Sequence, residues 1–285
     1  YTLNTRNKQL MITITPIAKA LVPANSEIAA AFTSPNYDEF QNDREIWEIL
    51  QRNPVSILAV KMPHCDVADA SKMLREGSPE ALAHAAEKMQ EVRQRPAMKV
   101  LENLLYVYEI TAPFRPGQPQ LGLGCFARTD EILTEQNPGG VIIRNEGIRE
   151  EKAKGRADLI KATGTFIGVV NNCVEDKEGR ILRALQDFPA TKDPDLEIVD
   201  ERKNRHRVWY ILDPAARQHF VELFAEESNA YVADGNHRSA AAASLGCEHF
   251  LTVFFPAQTM GIRPYNRLVH AKTFTRTELE AVLSE

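Results

Sequence analysis

A chain of 285 residues, 44% hydrophobic and 26% charged, has the composition of a globular protein of one or two domains and not of a disordered or fibrous one. Its net charge of −5 removes any general electrostatic drive toward nucleic acid or an anionic membrane. No uninterrupted apolar run reaches the roughly 18 residues of a membrane span.

The ten polar residues before Met11 lack the apolar core of a signal peptide and read as a tail or an extended start. The loop "SPNYDEF" places Tyr37 and Asp38 together. Asn42 predicts a capped helix over "DREIWEILQR", with Glu45 completing a capping box. "VSILAV" reads as a buried strand, and Ser78-Pro79 as the start of a long helix ending near Pro96. "LLYVYEIT" and "QLGLGCFAR", separated by a turn-rich stretch, predict a hairpin. The loop Asn137-Pro138-Gly139-Gly140 marks an expected boundary between an N-terminal α/β region, 11–136, and a C-terminal one, 140–285.

The second half then predicts strand "VIIRN", helix "EEKAKGRADLIKAT", strand "TFIGVV" and helix "GRILRALQDF". A hairpin over "LEIVDERKNRHRVWYIL" follows, then helix "AARQHFVELFAEE", strand "AYVAD", a helix through the alanine run and strand "FLTVFF". The expected class is mixed α/β (α+β), with mixed sheets packed against helices. The four cysteines, Cys65, Cys125, Cys173 and Cys247, stand 48 to 74 residues apart with no C-x-x-C pair. A clustered zinc site is therefore not expected, and a cytoplasmic, reducing compartment is.

The P-loop, H-E-x-x-H and G-x-S-x-G signatures are absent. Gly122, Gly124 and Ala127 fit G-x-G-x-x-A but lie within a predicted strand with no helix after it, so they do not mark a dinucleotide site. "VADGNHRSAAAASLG", residues 232–246, is different, because a strand there turns at Gly235 into a helix. Free N–H groups and the positive end of that helix form an anion site. Arg238 is placed to grip phosphate in a bidentate manner, while Asn236, His237 and Ser239 add hydrogen bonds. Asp234 is the candidate Mg²⁺ ligand. The plainer alternative has Asp234 as a cap, Arg238 paired with it and His237 as a satisfied core residue.

Glu146 follows a strand within "RNEGIREEKAKGR" and is a candidate base, with Arg144, Lys152 and Arg156 adding positive charge. By themselves these residues read better as a solvated helix start. Tyr265 and Arg267 stand in "RPYNRLVH".

Together these stretches resemble the family called domain of unknown function 1015. Its A-P-P-Y-D pattern is matched by Ser34 to Asp38 and its H-E-x-T, K and D-R by Asn145 to Ile148, Lys152 and Gly155-Arg156. Its A-D-G-H-H-R is matched by Ala233 to Arg238 and its P-Y-H-R-L by Pro264 to Leu268. Asn145, Asn236 and Asn266 stand where the pattern has histidine, Ile148 where it has threonine and Gly155 where it has aspartate. The chain is identified as a divergent or shortened member. Residues 219–255 also resemble the nucleotide-binding core of ParB-like and sulfiredoxin-like proteins and of free-serine kinases, in which a similar turn holds nucleotide phosphates.

The resemblances imply an Mg²⁺-dependent phosphotransferase using ATP or ADP, or CTP, on a small hydroxyl metabolite such as serine. Glu146 and His237 are then the catalytic candidates. Gly235, Asn236, His237, Arg238, Ser239, Arg144, Arg156 and Arg267 would hold the nucleotide, and Tyr37 and Asp38 would meet the substrate. On this reading Arg238→Ala weakens nucleotide binding and leaves the fold intact. The alternatives are a non-catalytic nucleotide-sensing protein of ParB-like type and a degenerate homologue. The expected partners are the nucleotide and a small molecule, not nucleic acid or membrane; a homo-oligomer is compatible with the sequence.

Overall fold

In the computed structural model, residues 11–34, 40–261 and 275–283 are described. The chain opens with strands β1 (Ile14–Thr15) and β2 (Ile17–Pro23), then helices α1 (Ser26–Phe32) and α2 (Asp43–Arg52). α2 starts as its sequence predicts. Asn42 Oδ1 accepts from the N–H groups of Arg44 and Glu45, and Glu45 reaches back to Asn42 Nδ2 and Gln41 N. α3 (Leu58–Lys61) and α4 (Pro79–Gln94) follow, the latter capped by Ser78 Oγ accepting from Ala81 N.

"VSILAV" is thus not a strand. A short apolar run is compatible with burial in either form, and here Ser56 Oγ accepts from Leu58 N and turns the chain into a helix. Leu58 and Ala59 then pack beneath Ile46 and Leu50 of α2, while Val60 joins Phe32, Met89 and Val92.

The predicted hairpin is β3 (Met98–Thr111) and β4 (Gln120–Arg128). Beyond it come β5 (Ile142–Arg144), α5 (Glu150–Thr163), β6 (Val170–Val174) and α6 (Arg180–Asp187). A second hairpin, β7 (Leu196–Val199) and β8 (Arg205–Ile211), leads to α7 (Pro214–Phe224). β9 (Ala230–Asp234), α8 (Asn236–Ser244), β10 (His249–Pro256), α9 (Ala257–Met260) and α10 (Arg276–Leu283) complete the described chain.

The ten strands form one mixed sheet in the order β5-β9-β6-β10-β4-β3-β8-β7, with β1 added to β4 and β2 to β3. β5 with β9 and β6 with β10 are parallel; the other pairs are antiparallel. The strands on either side of the Asn137–Gly140 loop interleave in it, since β4 pairs with β10 and β3 with β8. The class is therefore mixed α+β. No helix among the described residues is long and apolar enough to cross a membrane.

β4 shows how the period of two builds the core. Leu121, Leu123, Cys125 and Ala127 enter the main cluster with Ile181 and Leu185 of α6 and Phe220 and Phe224 of α7. The alternate residues Gly122 and Gly124 face the other way. A Cβ on Gly124 would overlap the Tyr106 ring, and one on Gly122 would lie 2.6 Å from Val253 Cγ1. These glycines make room for neighbouring side chains, not for a dinucleotide.

The strand expected over "TFIGVV" begins only at Val170. The residues before it serve arginines instead. Arg93 Nη2 donates to Thr163 O at 2.6 Å and to Thr165 Oγ1 at 2.5 Å, and the Val169 carbonyl accepts from Arg238.

Candidate functional site

β9 ends at Asp234, Gly235 turns the chain, and α8 starts at Asn236. Gly235 has φ +102°, in the left-handed region that side chains rarely adopt, and a Cβ there would come within 3.2 Å of Val170 Cα. Backbone conformation and the close approach of β6 both require glycine. The Gly235 carbonyl accepts from Arg238 N and Ser239 N, closing the first turn of the helix.

The turn gathers residues from the β5–α5 loop, 91 positions away in the chain. Asn236 Nδ2 donates to Asn145 Oδ1 at 2.6 Å and to Glu146 Oε1 at 3.3 Å. His237 Nε2 accepts from Arg149 N at 3.0 Å, which leaves the ring proton on Nδ1. Glu146 therefore meets the turn, as the sequence reading requires of a base. Tyr37, Asp38 and Arg267 lie outside the described residues.

Two buried polar atoms have no hydrogen-bond partner among the described residues, Asn236 Oδ1 on the turn and Arg144 Nε on β5, the strand paired with β9. Arg144 ends β5, one residue before Asn145. Burial pushes its guanidinium pKa down, the response of a cation that has lost water without gaining a carboxylate. An anionic oxygen would satisfy the Arg144 donor and a hydroxyl the Asn236 acceptor.

Arg238 is placed differently from its sequence expectation. Its Nη2 donates to Asp234 Oδ2 at 2.7 Å and its Nη1 to the Val169 carbonyl. Both ends of the fork are committed to the protein, so Arg238 braces the turn against the segment before β6. The expectation that Arg238→Ala spares the fold is corrected accordingly. Ser239 is fully buried with Oγ donating to Asn236 O, and it closes the helix turn without offering its hydroxyl to a ligand. The other flank of Arg238 lines a cavity of about 80 Å³, with Lys61 and Arg156 at its edge and Phe166, Ile167 and Phe250 among its apolar walls. Lys61, one residue past the segment read as a strand, carried no sequence signal.

Burial lowers the pKa of His237 below 6.5; Glu146 opposes the shift, and Lys152, Arg149 and Arg156 add to it. A depressed folded-state pKa means that the unfolded chain binds the proton more readily. The neutral ring thus contributes stability that is present above pH 6.5 and is lost as pH falls through the folded pKa. The thermal midpoints of the native protein and His237→Ala should therefore differ most above pH 6.5 and converge below it. A gap that widens on acidification would contradict the bond from Arg149.

The family model described as "Protein of unknown function (DUF1015)" matches residues 14–285. The chain belongs to this family. No curated protein and no solved structure matches it. Within the pattern given above, this member pairs Asn145 and Asn236 with each other where the pattern has histidines. An amide keeps the hydrogen bond but does not exchange a proton near neutral pH, so His237 is the imidazole that remains at the turn.

Proposed function

We propose that the β9–α8 turn binds a nucleotide through its phosphates and that the protein transfers a phosphoryl group to the hydroxyl of a small metabolite, such as an amino acid. The observation that carries this reading is the pair of buried atoms without partners, Asn236 Oδ1 as acceptor at the start of α8 and Arg144 Nε as donor at the end of the nearby strand β5. The donor matches a phosphate oxygen and the acceptor a hydroxyl. The N–H groups of Asn236 and His237 add positive potential. Arg149, Lys152 and Arg156 lie close enough to act on the His237 ring. The likeness of this stretch to ParB-like and free-serine-kinase cores supports the same assignment.

Phosphoryl transfer rests chiefly on positioning and charge neutralisation. In this reading the metabolite hydroxyl attacks the terminal phosphorus and passes its proton to Glu146, while the bond to the bridging oxygen breaks and the shortened nucleotide leaves with that oxygen. Asp234 has one carboxylate oxygen engaged by Arg238. Its other oxygen is a hard donor of the kind Mg²⁺ takes, and the ion when bound would neutralise phosphate charge.

The Asn145–Asn236 bond also favours a second reading, a nucleotide-sensing protein of ParB-like type without turnover, because amides stand where a proton carrier would act. Melting the protein with ATP, ADP or CTP, each with and without Mg²⁺, tests the binding shared by both. A ligand at 100 times its Kd should stabilise by about 2.7 kcal/mol. Arg144→Met should weaken the bound nucleotide about 10- to 150-fold, the value of a charge-assisted hydrogen bond. No response to any of the three nucleotides ends both readings, and multiple-turnover phosphorylation separates them.

A further inference from the structure

The loop after α3 holds a second cluster, made of residues that take no part in the α8 turn. Pro63–Cys65 form a single 3-10 turn closed by Cys65 N donating to Met62 O. The turn points His64 and Cys65 inward; His64 is 2% and Cys65 0% exposed. Asp43, the first residue of α2, stands over them with its side chain 58% exposed. One ligand atom from each residue, a His64 ring nitrogen, Cys65 Sγ and an Asp43 carboxylate oxygen, lies within 4.8 Å of the others. His64 Nε2 is 3.5 Å from Asp43 Oδ1.

His64 Nε2 is the independent sign of a ligand. It is a buried ring nitrogen with no hydrogen-bond partner among the described residues, and leaving such an atom unpaired is unfavourable. Bond lengths of about 2.0–2.3 Å put the ligand atoms of a tetrahedral zinc site about 3.3–3.8 Å apart. The His64–Asp43 separation of 3.5 Å already falls in that range, and Cys65 Sγ has at most about 1 Å to close.

We propose that Asp43, His64 and Cys65 bind a divalent first-row metal of the zinc class, with the fourth coordination position open toward solvent on the Asp43 side. One sulfur, one imidazole and one carboxylate select such an ion over Mg²⁺ or Ca²⁺, which take oxygen donors. Three protein ligands leave a position for water or a small molecule. Uptake replaces the thiol proton: the metal–sulfur bond forms, the S–H bond breaks, and one proton leaves to solvent for each ion bound. This arrangement needs no C-x-x-C spacing.

The test is titration of the chelator-treated full chain with Co²⁺, followed by displacement with Zn²⁺. The expected result is one Co²⁺ per chain, with a thiolate-to-cobalt charge-transfer band in the near ultraviolet that Zn²⁺ abolishes at one equivalent. Cys65→Ser should remove the band, and His64→Ala should lower Zn²⁺ affinity at least about 100-fold, the upper end of losses seen on removing groups that only support a ligand. Because those two residues are buried, Asp43→Asn serves as the variant at an exposed position. It should fold normally and still lose about 10-fold or more in Zn²⁺ affinity. The proposal is overturned by a native protein without the one-equivalent band, by a band that survives in Cys65→Ser and so belongs to Cys173 or Cys247, or by Asp43→Asn with unchanged affinity.

Discussion

Arg238→Ala is expected to lower the thermal midpoint by several degrees with no ligand present. The guanidinium joins three parts of the fold: Asp234 at the end of β9, the first turn of α8 and the Val169 carbonyl before β6. The pair with Asp234 is four residues apart and partly exposed, with side-chain exposures of 22% and 56%. Such pairs contribute about 0.3–0.5 kcal/mol. The bond to the Val169 carbonyl is the larger contribution, about 1.5–3 kcal/mol for a charged donor, because alanine leaves that partly buried oxygen without its partner. The sum, about 2–3.5 kcal/mol, converts to roughly 4–7 °C for a chain of this size. Asp234→Asn removes only the weaker contact and should move the midpoint by about 1 °C or less. Differential scanning calorimetry of both variants distinguishes the cases: equal shifts would mean that the ion pair, not the bridge to Val169, holds the turn.

Gly124→Ala is expected to destabilise the protein by about 3 kcal/mol or more, at the upper end of overpacking effects. Gly124 lies opposite Tyr106 of β3 and Val253 of β10, in a strand hydrogen-bonded on both sides. The new methyl would enter the Tyr106 ring. That ring packs in a cluster with Phe126, Tyr210 and Leu251, so turning it away costs those contacts. Trimming the ring should relieve the overlap, and Tyr106→Leu combined with Gly124→Ala should be less destabilised than the two single effects added together. A Gly124→Ala protein melting within 2 °C of the native one, about the effect of 1 kcal/mol, would show that the strand yields and the ring does not constrain it.

The parts of the candidate site that were legible in the sequence are those with local causes. Gly235 signals its turn because the left-handed backbone is a property of one residue. Asn42 and Ser78 start α2 and α4 through bonds to N–H groups two or three residues on. The grouping of Asn145 and Glu146 with Asn236 came from the family resemblance, since nothing in either stretch alone requires the other. "VSILAV" and "TFIGVV" were misread for a common reason. An apolar run records burial but not the form of the backbone, and distant partners decided that form: the α2 and α4 faces in one case, the arginines in the other.

The sequence by itself determined the α+β class, most helix starts, both hairpins and the strand–glycine–helix turn, because each depends on side-chain period or on hydrogen bonds between near neighbours. The tertiary structure alone decided what the polar residues do. It turned Arg238 from a phosphate grip into a brace by placing Val169, 69 residues earlier, within its reach. It left Arg144 and Asn236 with unmet hydrogen-bonding capacity beside one helix start. It also set Asp43 over His64 and Cys65, about 20 residues apart in the chain. Whether a donor finds a partner depends on a separation of about 3 Å in space, and position along the chain carries no record of that separation.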